Sequence, residues 1–402
     1  MKVAFFLLHY PVFSETFVSK EILNLQNLGV DGLIVCEKQN HSPPFHPHIQ
    51  EIKFPINEIS TKIFGSQFLP IISAHFYWLS KNPLGYLRSI QLLFSFFNFH
   101  HFRVFIKAPL LAKKMKIENI DLIYVHEVDS PSLFGLICSK LCQIPCGIIM
   151  HTQYLFAQNK FLKEKIKQAN FIIFQSKYSQ KVAGNPLNSF VISTPGIDTD
   201  FFQPPTKMVY HQQIRLLSIG RLEEAKGYPI LLKAIPLIRK NYPHILLTIV
   251  GDGSQKQLLQ TYINNNNLQK NVHLLGFISH NQELLNVIHQ HQYFILPSII
   301  DSRKVHDVHP NVVKEAMACG LITITSNLGG IDEIIKDKQN GFLIDTVSPK
   351  NIVKIIKFVH LLPISQKIII SSQARITILK NHQQENLCHQ LKQIFSDYTH
   401  EK

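Results

Sequence analysis

DSRKVHDVHPNVVKEAMACG, residues 301–320 of the 402-residue chain, is the stretch that decides how the rest is read. An acidic residue, Asp307, precedes a proline-marked turn, and a second, Glu315, follows on a helix. Pro310 has a fixed φ and no N–H, which suits a helix's first turn. Val312, Val313, Ala316 and Met317 then give an apolar stripe at helical spacing. A helix start offers unpaired N–H groups and the positive end of a dipole, so the junction near Val312 suits an anion. One carboxylate before it and one after it can each take a hydroxyl-rich group, which is the shape of a nucleotide-sugar site. The plainer reading is a turn acid at Asp307 and a solvated helix acid at Glu315.

Working outward, residues 214–219 read as a strand that runs into Gly220-Arg221-Leu222-Glu223-Glu224-Ala225-Lys226-Gly227. Gly220 permits a sharp turn, and Pro229 can open the helix that follows. Arg221 supplies a fork of donors suited to phosphate oxygens and Lys226 a mobile point charge, so together they would neutralise a diphosphate. Residues 246–250 form a further strand ending in the Gly251-Asp252-Gly253 turn. Strands also fall at 272–277, 294–298, 321–326 and 340–344. Gly329-Gly330 would let backbone come close to a ligand. His306 and His309 flank Asp307 and read as loop histidines, since no third ligand stands at metal spacing.

In the first half, short apolar runs recur at residues 2–8, 33–36, 122–125, 147–150, 171–174 and 190–192. Continuous runs without alternation predict strands buried on both faces of a parallel sheet, with helices between them. Ser14 is an N-cap candidate for a helix through Ile22 and Leu25 that ends at Gly29. His151 closes a strand at its carboxyl end, where open α/β sheets place ligands. Residues 203–213 are polar and proline-containing, as a linker is. Residues 53–116 combine Trp78, Phe94, Phe96, Phe97, Phe99 and Phe102 with scattered basic residues. Two readings fit: core helices, or amphipathic helices lying in a membrane interface.

Composition narrows the class. Hydrophobic residues make up 45% and charged residues 17%, which excludes a disordered chain. The net charge of +14 fits nucleic acid, an anionic membrane or acidic small substrates, but no nucleic-acid-reading motif is present. The six cysteines have neither zinc spacing nor secreted-disulfide spacing, and reduced thiols are expected. Asp198-Thr199-Asp200 fits a short metal pattern that is common by chance. Lysines, arginines and histidines interrupt the apolar region around residues 64–111, so no membrane-spanning helix is expected.

Several motifs carry a resemblance. The acid-x7-Glu spacing from Asp307 to Glu315, followed by Ala316-Met317-Ala318-x-Gly320, resembles the signature of retaining glycosyltransferases of family four, which have the GT-B fold. The Gly220-Arg221-Leu222-x3-Lys226-Gly227 stretch is similar to that family's diphosphate-binding motif. Gly251-x-Gly253, Gly329-Gly330, Asn340-Gly341-Phe342-Leu343 and Gly196-Ile197-Asp198 agree as well. YPVFSETFVSKEI, residues 10–22, resembles the opening of colanic-acid-type and amylovoran-type polysaccharide glycosyltransferases. Two positions depart: Asp307 stands where the family usually has Glu, and Tyr154 where its His-Ala-x-Asp stretch has Asp.

The resemblance implies an α/β protein of two Rossmann-like doubly wound domains facing each other across a cleft. Residues 1–205 would form an acceptor-side domain and 206–380 a nucleotide-sugar-binding domain, with a helix at 381–402 packing back on the first. It implies transfer of a sugar from a nucleotide diphosphate sugar to a saccharide acceptor, with retention, in surface polysaccharide biosynthesis. Donor contacts would come from Arg221, Lys226, Gly251, Asp307, Asn311, Val312 and Glu315, with Glu315 on the ribose and Asp307 on the sugar hydroxyls. His151, Asp307, Arg221 and Lys226 would form the catalytic set, His151 orienting the sugar. No metal and no cofactor beyond the donor are implied. The expected partners are a lipid-linked or free saccharide and an anionic membrane surface, at the inner face of the plasma membrane in the cytoplasm, with no nucleic acid. Two rivals stay open: an inactive relative that binds nucleotide sugar or saccharide, and a nucleic-acid binder explained by charge.

Overall fold

The computed structural model describes residues 1–12, 16–41, 47–59, 65–95, 99–126, 130–151, 162–206, 210 and 212–400. They form two compact units. Unit 1 comprises Met1–Gln175, Gln180–Pro195 and Glu385–Lys402, and unit 2 comprises Ser176–Ser179 and Gly196–Gln384.

Unit 1 is built on a seven-stranded parallel sheet in the order β3-β2-β1-β4-β5-β6-β7. The strands are β1 (Lys2–Tyr10), β2 (Asp31–Gln39), β3 (Ile56–Glu58), β4 (Leu122–Val125), β5 (Cys146–Met150), β6 (Phe171–Phe174) and β7 (Ser189–Val191). β4, β5 and β6 are buried at every residue, which is why they read as unbroken apolar runs. Strand order reverses between β1 and β4, where Val3 pairs with Leu122 and Phe6 with Val125. Helix α1 (Thr16–Asn27) follows β1 and stops at Gly29, whose φ of 82° turns the chain so that its N–H reaches the Gln26 carbonyl. Ser14 lies outside the described residues.

Between β3 and β4 run α2 (Phe68–Lys81), α3 (Pro83–Ser95) and α4 (Phe99–Ile117). Ile71, Ala74 and Trp78 are buried, with the Trp78 indole N–H donating to the Pro109 carbonyl at 2.9 Å, while Leu69, Ile72, Phe76 and Leu79 form an exposed stripe on α2. Phe96 and Phe97 lie outside the described residues. α5 (Ser130–Cys142) carries Cys138 and Cys142, and Cys146 opens β5; none of the six cysteines is in a disulfide. The C-terminal helix (Gln384–His400) buries Leu391 and Phe395 in the core of unit 1, the Phe395 ring lying 4.9 Å from Tyr124. Each such side chain contributes about 1.5–3 kcal/mol.

Unit 2 carries a six-stranded parallel sheet, β10-β9-β8-β11-β12-β13. Its strands are β8 (Arg215–Ile219), β9 (Leu246–Val250), β10 (Val272–Gly276), β11 (Tyr293–Leu296), β12 (Ile322–Ser326) and β13 (Phe342–Ile344). β11 ends two residues before the expected Ser298, because Pro297 has no N–H to continue the ladder. Helix α6 (Tyr228–Arg239) follows β8 with Pro229 in its first turn, and α7 (Asn311–Ala318) follows β11. Strand order reverses between β8 and β11, where Tyr293 pairs with Leu216. Both sheets are therefore doubly wound, as the apolar runs predict. Among the described residues no helix is long and apolar enough to cross a membrane.

Candidate functional site

Gly220 leaves the carboxyl end of β8 and Ser298 follows the carboxyl end of β11, the two strands that flank the reversal in unit 2. Open parallel sheets bind ligands at that point. The loop after β8 makes a 3-10 turn, Glu224–Lys226, closed by Gly227 with φ 69°. That turn presents Lys226, whose Nζ donates to Asp307 Oδ1 at 2.7 Å. The other oxygen, Oδ2, accepts from the Ser298 hydroxyl at 2.5 Å. The carboxylate is thus held from both sides, by residues that come from separate loops. Arg221 is exposed and makes no ion pair among the described residues.

Asp307 lies in the turn leading to α7. Pro310, with φ −62° and ψ 128°, stands immediately before the helix, one place earlier than the first turn expected from sequence. No side chain caps this end, which leaves the first N–H groups of α7, those of Asn311 and Val312, facing outward along the axis. Glu315 follows on the same helix and is 6% exposed. Its Oε1 lies 3.3 Å from His280 Nε2, and its Oε2 has no hydrogen-bond partner among the described residues. A buried carboxylate oxygen left so costs about 1–3 kcal/mol, and a ligand hydroxyl would relieve that cost.

The glycines have protein partners. Gly251, with φ 145°, packs on the backbone of Gly220, and a Cβ there would lie 2.0 Å from the Gly220 carbonyl oxygen. Gly329 and Gly330, expected to admit a ligand, admit protein instead. A Cβ on Gly329 would lie 2.1 Å from the Asp307 carbonyl oxygen, and one on Gly330 would lie 2.5 Å from Tyr178 Cβ. The Glu333 carboxylate accepts from the backbone N–H groups of Lys177 at 2.9 Å and Tyr178 at 2.7 Å. His306 Nε2 lies 3.2 Å from the Tyr178 hydroxyl, and His309 Nε2 donates to the Gly330 carbonyl at 3.0 Å. These contacts shape the loop that carries Asp307. Among the described residues no group of three or more His, Cys, Asp or Glu side chains could hold a metal ion.

In unit 1 a second cluster stands at the carboxyl ends of β4 and β5. His151 follows β5, and its ring lies 5.3 Å from Phe17, edge-on, and 5.9 Å from His126, nearly parallel. Burial pulls the His151 imidazole down to about 4. His126 follows β4, and its Nε2 lies 3.4 Å from Glu21 Oε1. Burial pushes the Glu21 carboxyl up to about 8 and, with His151 adding to the effect, holds His126 well below the ordinary imidazole range. Tyr154 lies outside the described residues. Sequence reasoning singled out His151 but missed Glu21, His126, Ser298 and His280. Glu21 stands singly on α1, and the others are single polar residues beside strands, with no spacing to mark them.

Residues 199–375, which include the whole of this unit 2 site, match the family Glycosyl transferases group 1. The chain resembles the amylovoran biosynthesis glycosyltransferase AmsK of Erwinia amylovora, with 24% identity over 85% of this chain and 86% of that one. It also resembles the putative colanic acid biosynthesis glycosyltransferase WcaL of Salmonella typhimurium, with 22% identity over 86% and 87%. Among solved structures, Anabaena HepE in complex with UDP superposes with a TM-score of 0.74 over 99% of this chain and 100% of that one, at 19% identity. The likeness of fold defines the class, a GT-B protein of two Rossmann-like units. Within that class, the stretch 199–375 carries the match to the group 1 glycosyltransferases, and the chain as a whole is similar to the amylovoran and colanic-acid types.

Proposed function

We propose that this enzyme transfers a glycosyl group from a nucleotide diphosphate sugar to a saccharide acceptor in polysaccharide biosynthesis, with retention at the anomeric carbon. The observation that carries the reading is the Lys226–Asp307 pair at the strand-order reversal, beside the uncapped start of α7. Arg221, Lys226 and the Asn311 and Val312 amides neutralise the diphosphate as charge develops on the leaving group, a preorganised electrostatic role. Because these groups supply the positive charge, no step is assigned to a metal. Glu315 accepts from the ribose hydroxyls through its unpartnered Oε2, and Asp307 accepts from hydroxyls of the sugar. Gly251 keeps the Gly220–Lys226 loop in place. His151 makes a hydrogen bond to the sugar. HepE is solved with UDP and with UDP-glucose, which makes UDP the first nucleotide to try.

The acceptor is read as lipid-linked and the enzyme as peripheral on the cytoplasmic leaflet. In support, α2 exposes Leu69, Ile72, Phe76 and Leu79 at helical spacing and α3 exposes Leu84, Leu87 and Phe94, with Lys81 and Arg88 on the same helices. An apolar stripe with cations beside it suits an anionic membrane interface. The reaction is tested by incubating the protein with candidate donors and a lipid-linked saccharide, then reading the anomeric configuration of the product by proton NMR. Retained configuration is expected. An inverted product, or donor binding without transfer to any acceptor, would contradict the assignment.

A further inference from the structure

The two ring nitrogens of His151 have different surroundings. Gln175, just after β6, places its side-chain Nε2 2.8 Å from the Thr194 carbonyl oxygen and 3.4 Å from His151 Nδ1. A carbonyl oxygen can only accept, so the nitrogen end of the Gln175 amide must face it, which fixes the amide's orientation. That NH2 group has a second hydrogen and no lone pair to offer. Toward His151 it can only donate, and Nδ1 must be the unprotonated acceptor. The neutral ring then carries its proton on Nε2, which has no hydrogen-bond partner among the described residues.

We propose that Gln175 is a positioning residue: by donating to His151 Nδ1 it holds the ring as the Nε2–H tautomer, so that His151 offers a hydrogen-bond donor to an oxygen of the bound sugar. The sugar contact rests on the reading of His151 given under Proposed function; the tautomer does not. The neighbours agree with a neutral ring. His126 faces it from the end of β4 and is itself neutral, Phe17 faces it from α1, and Glu21 on α1 lies against His126 with its carboxyl pushed up to about 8. Among the described residues no anion therefore stands beside His151 to draw a second proton to the ring. His151 acts as a donor and not as a base, and oxygens with free lone pairs, such as sugar hydroxyls or ethers, are its partners.

The test uses the full chain labelled with 15N-histidine, with His151 assigned by the signals lost in His151→Asn. The long-range 1H–15N spectrum of the ligand-free protein is expected to show an unprotonated Nδ1 and a protonated Nε2 at pH 7. Gln175→Leu should leave a mixture of tautomers, and Gln175→Glu, which puts an acceptor at the same place, should move the proton to Nδ1. Transfer by Gln175→Glu should fall about tenfold in kcat/KM, as for one lost hydrogen bond, while affinity for bare UDP stays unchanged. A protonated Nδ1 in the wild type, or unchanged nitrogen signals in Gln175→Leu, would overturn the positioning role. Reversed tautomers with undiminished transfer would instead overturn the sugar contact of His151.

Discussion

Lys226 Nζ lies 2.7 Å from Asp307 Oδ1, joining two loops 81 positions apart in the chain. In the ligand-free protein the cation assigned to the diphosphate is thus held by the acid assigned to the sugar. A diphosphate arriving at this point shares Lys226 with Asp307 and meets the carboxylate's negative charge. Asp307→Asn removes that competition while keeping the shape. It should bind UDP several-fold more tightly than wild type and transfer at least tenfold more slowly. Lys226→Ala should weaken UDP by ~1–3 kcal/mol, as expected for a charge-assisted contact. Calorimetric titration with UDP and steady-state assays check both; weaker UDP binding by Asp307→Asn would contradict the arrangement.

Gly251 is assigned a place at the donor site, and its backbone explains the glycine. With φ 145° and a Cβ that would lie 2.0 Å from the Gly220 carbonyl oxygen, Gly251→Ala must move a backbone and not a pliant side chain. The expected loss is about 1–3 kcal/mol, or about 2–12 °C in Tm for a unit of this size, together with weaker UDP binding as the Gly220–Lys226 loop shifts. Scanning calorimetry beside the same titration reads both effects. An unchanged Tm would show that the two loops are not packed as described.

Four buried imidazoles set the acid stability. Burial is the leading cause in each: His151 and His291 fall to about 4, His382 to about 3 with Lys314 and His309 adding to it, and His126 lies well below the ordinary range. Their folded-state pKa values are depressed, so their stabilisation is present above about pH 6.5 and is lost as pH falls toward the folded values. Each costs up to about 1.4 kcal/mol per pH unit within that window. Glu21 runs the other way. Its pKa is raised to about 8, so its contribution is full below the carboxylate range and is lost as pH rises through 8. Four groups outweigh one, and Tm should fall between pH 6.5 and 5. A level or rising Tm would contradict the neutral imidazoles.

The exposed stripe on α2 separates membrane docking from donor binding. Leu69, 75% exposed, and Phe76, 68% exposed, project from the face opposite Ile71, Ala74 and Trp78. Leu69→Asp with Phe76→Asp should reduce sedimentation with vesicles containing anionic phospholipid, leaving Tm and UDP affinity within error of wild type. Retained sedimentation would contradict the peripheral reading.

Much of the fold is legible in the sequence because buried parallel strands are unbroken apolar runs: residues 122–125, 171–174 and 246–250 coincide with β4, β6 and β9. β3 was not legible, being three residues at a sheet edge with Ile56 and Glu58 exposed. The donor-site candidates Lys226, Asp307 and Glu315 were legible from spacing, since one turn of loop or helix fixes which way each points. What they touch was not. Ser298 and His280 reach Asp307 and Glu315 through tertiary contacts with no local pattern. Gly329 looked like room for a ligand, whereas it makes room for the Asp307 backbone. The Glu21–His126–His151 cluster comes from three separate elements that only the sheet brings together.

The most direct test of the central claim is a thermal-shift series with UDP, GDP, ADP and CMP and their sugar conjugates, run on wild type, Lys226→Ala and Glu315→Ala. A ligand at a hundred times its dissociation constant adds about 2.7 kcal/mol, which is visible as a higher Tm. The account predicts that one nucleoside diphosphate raises the Tm of wild type and that both variants lose most of that shift. If no nucleotide shifts the wild type, or if the variants respond as fully as wild type does, Lys226 and Glu315 do not hold a nucleotide donor and the assignment of the site fails.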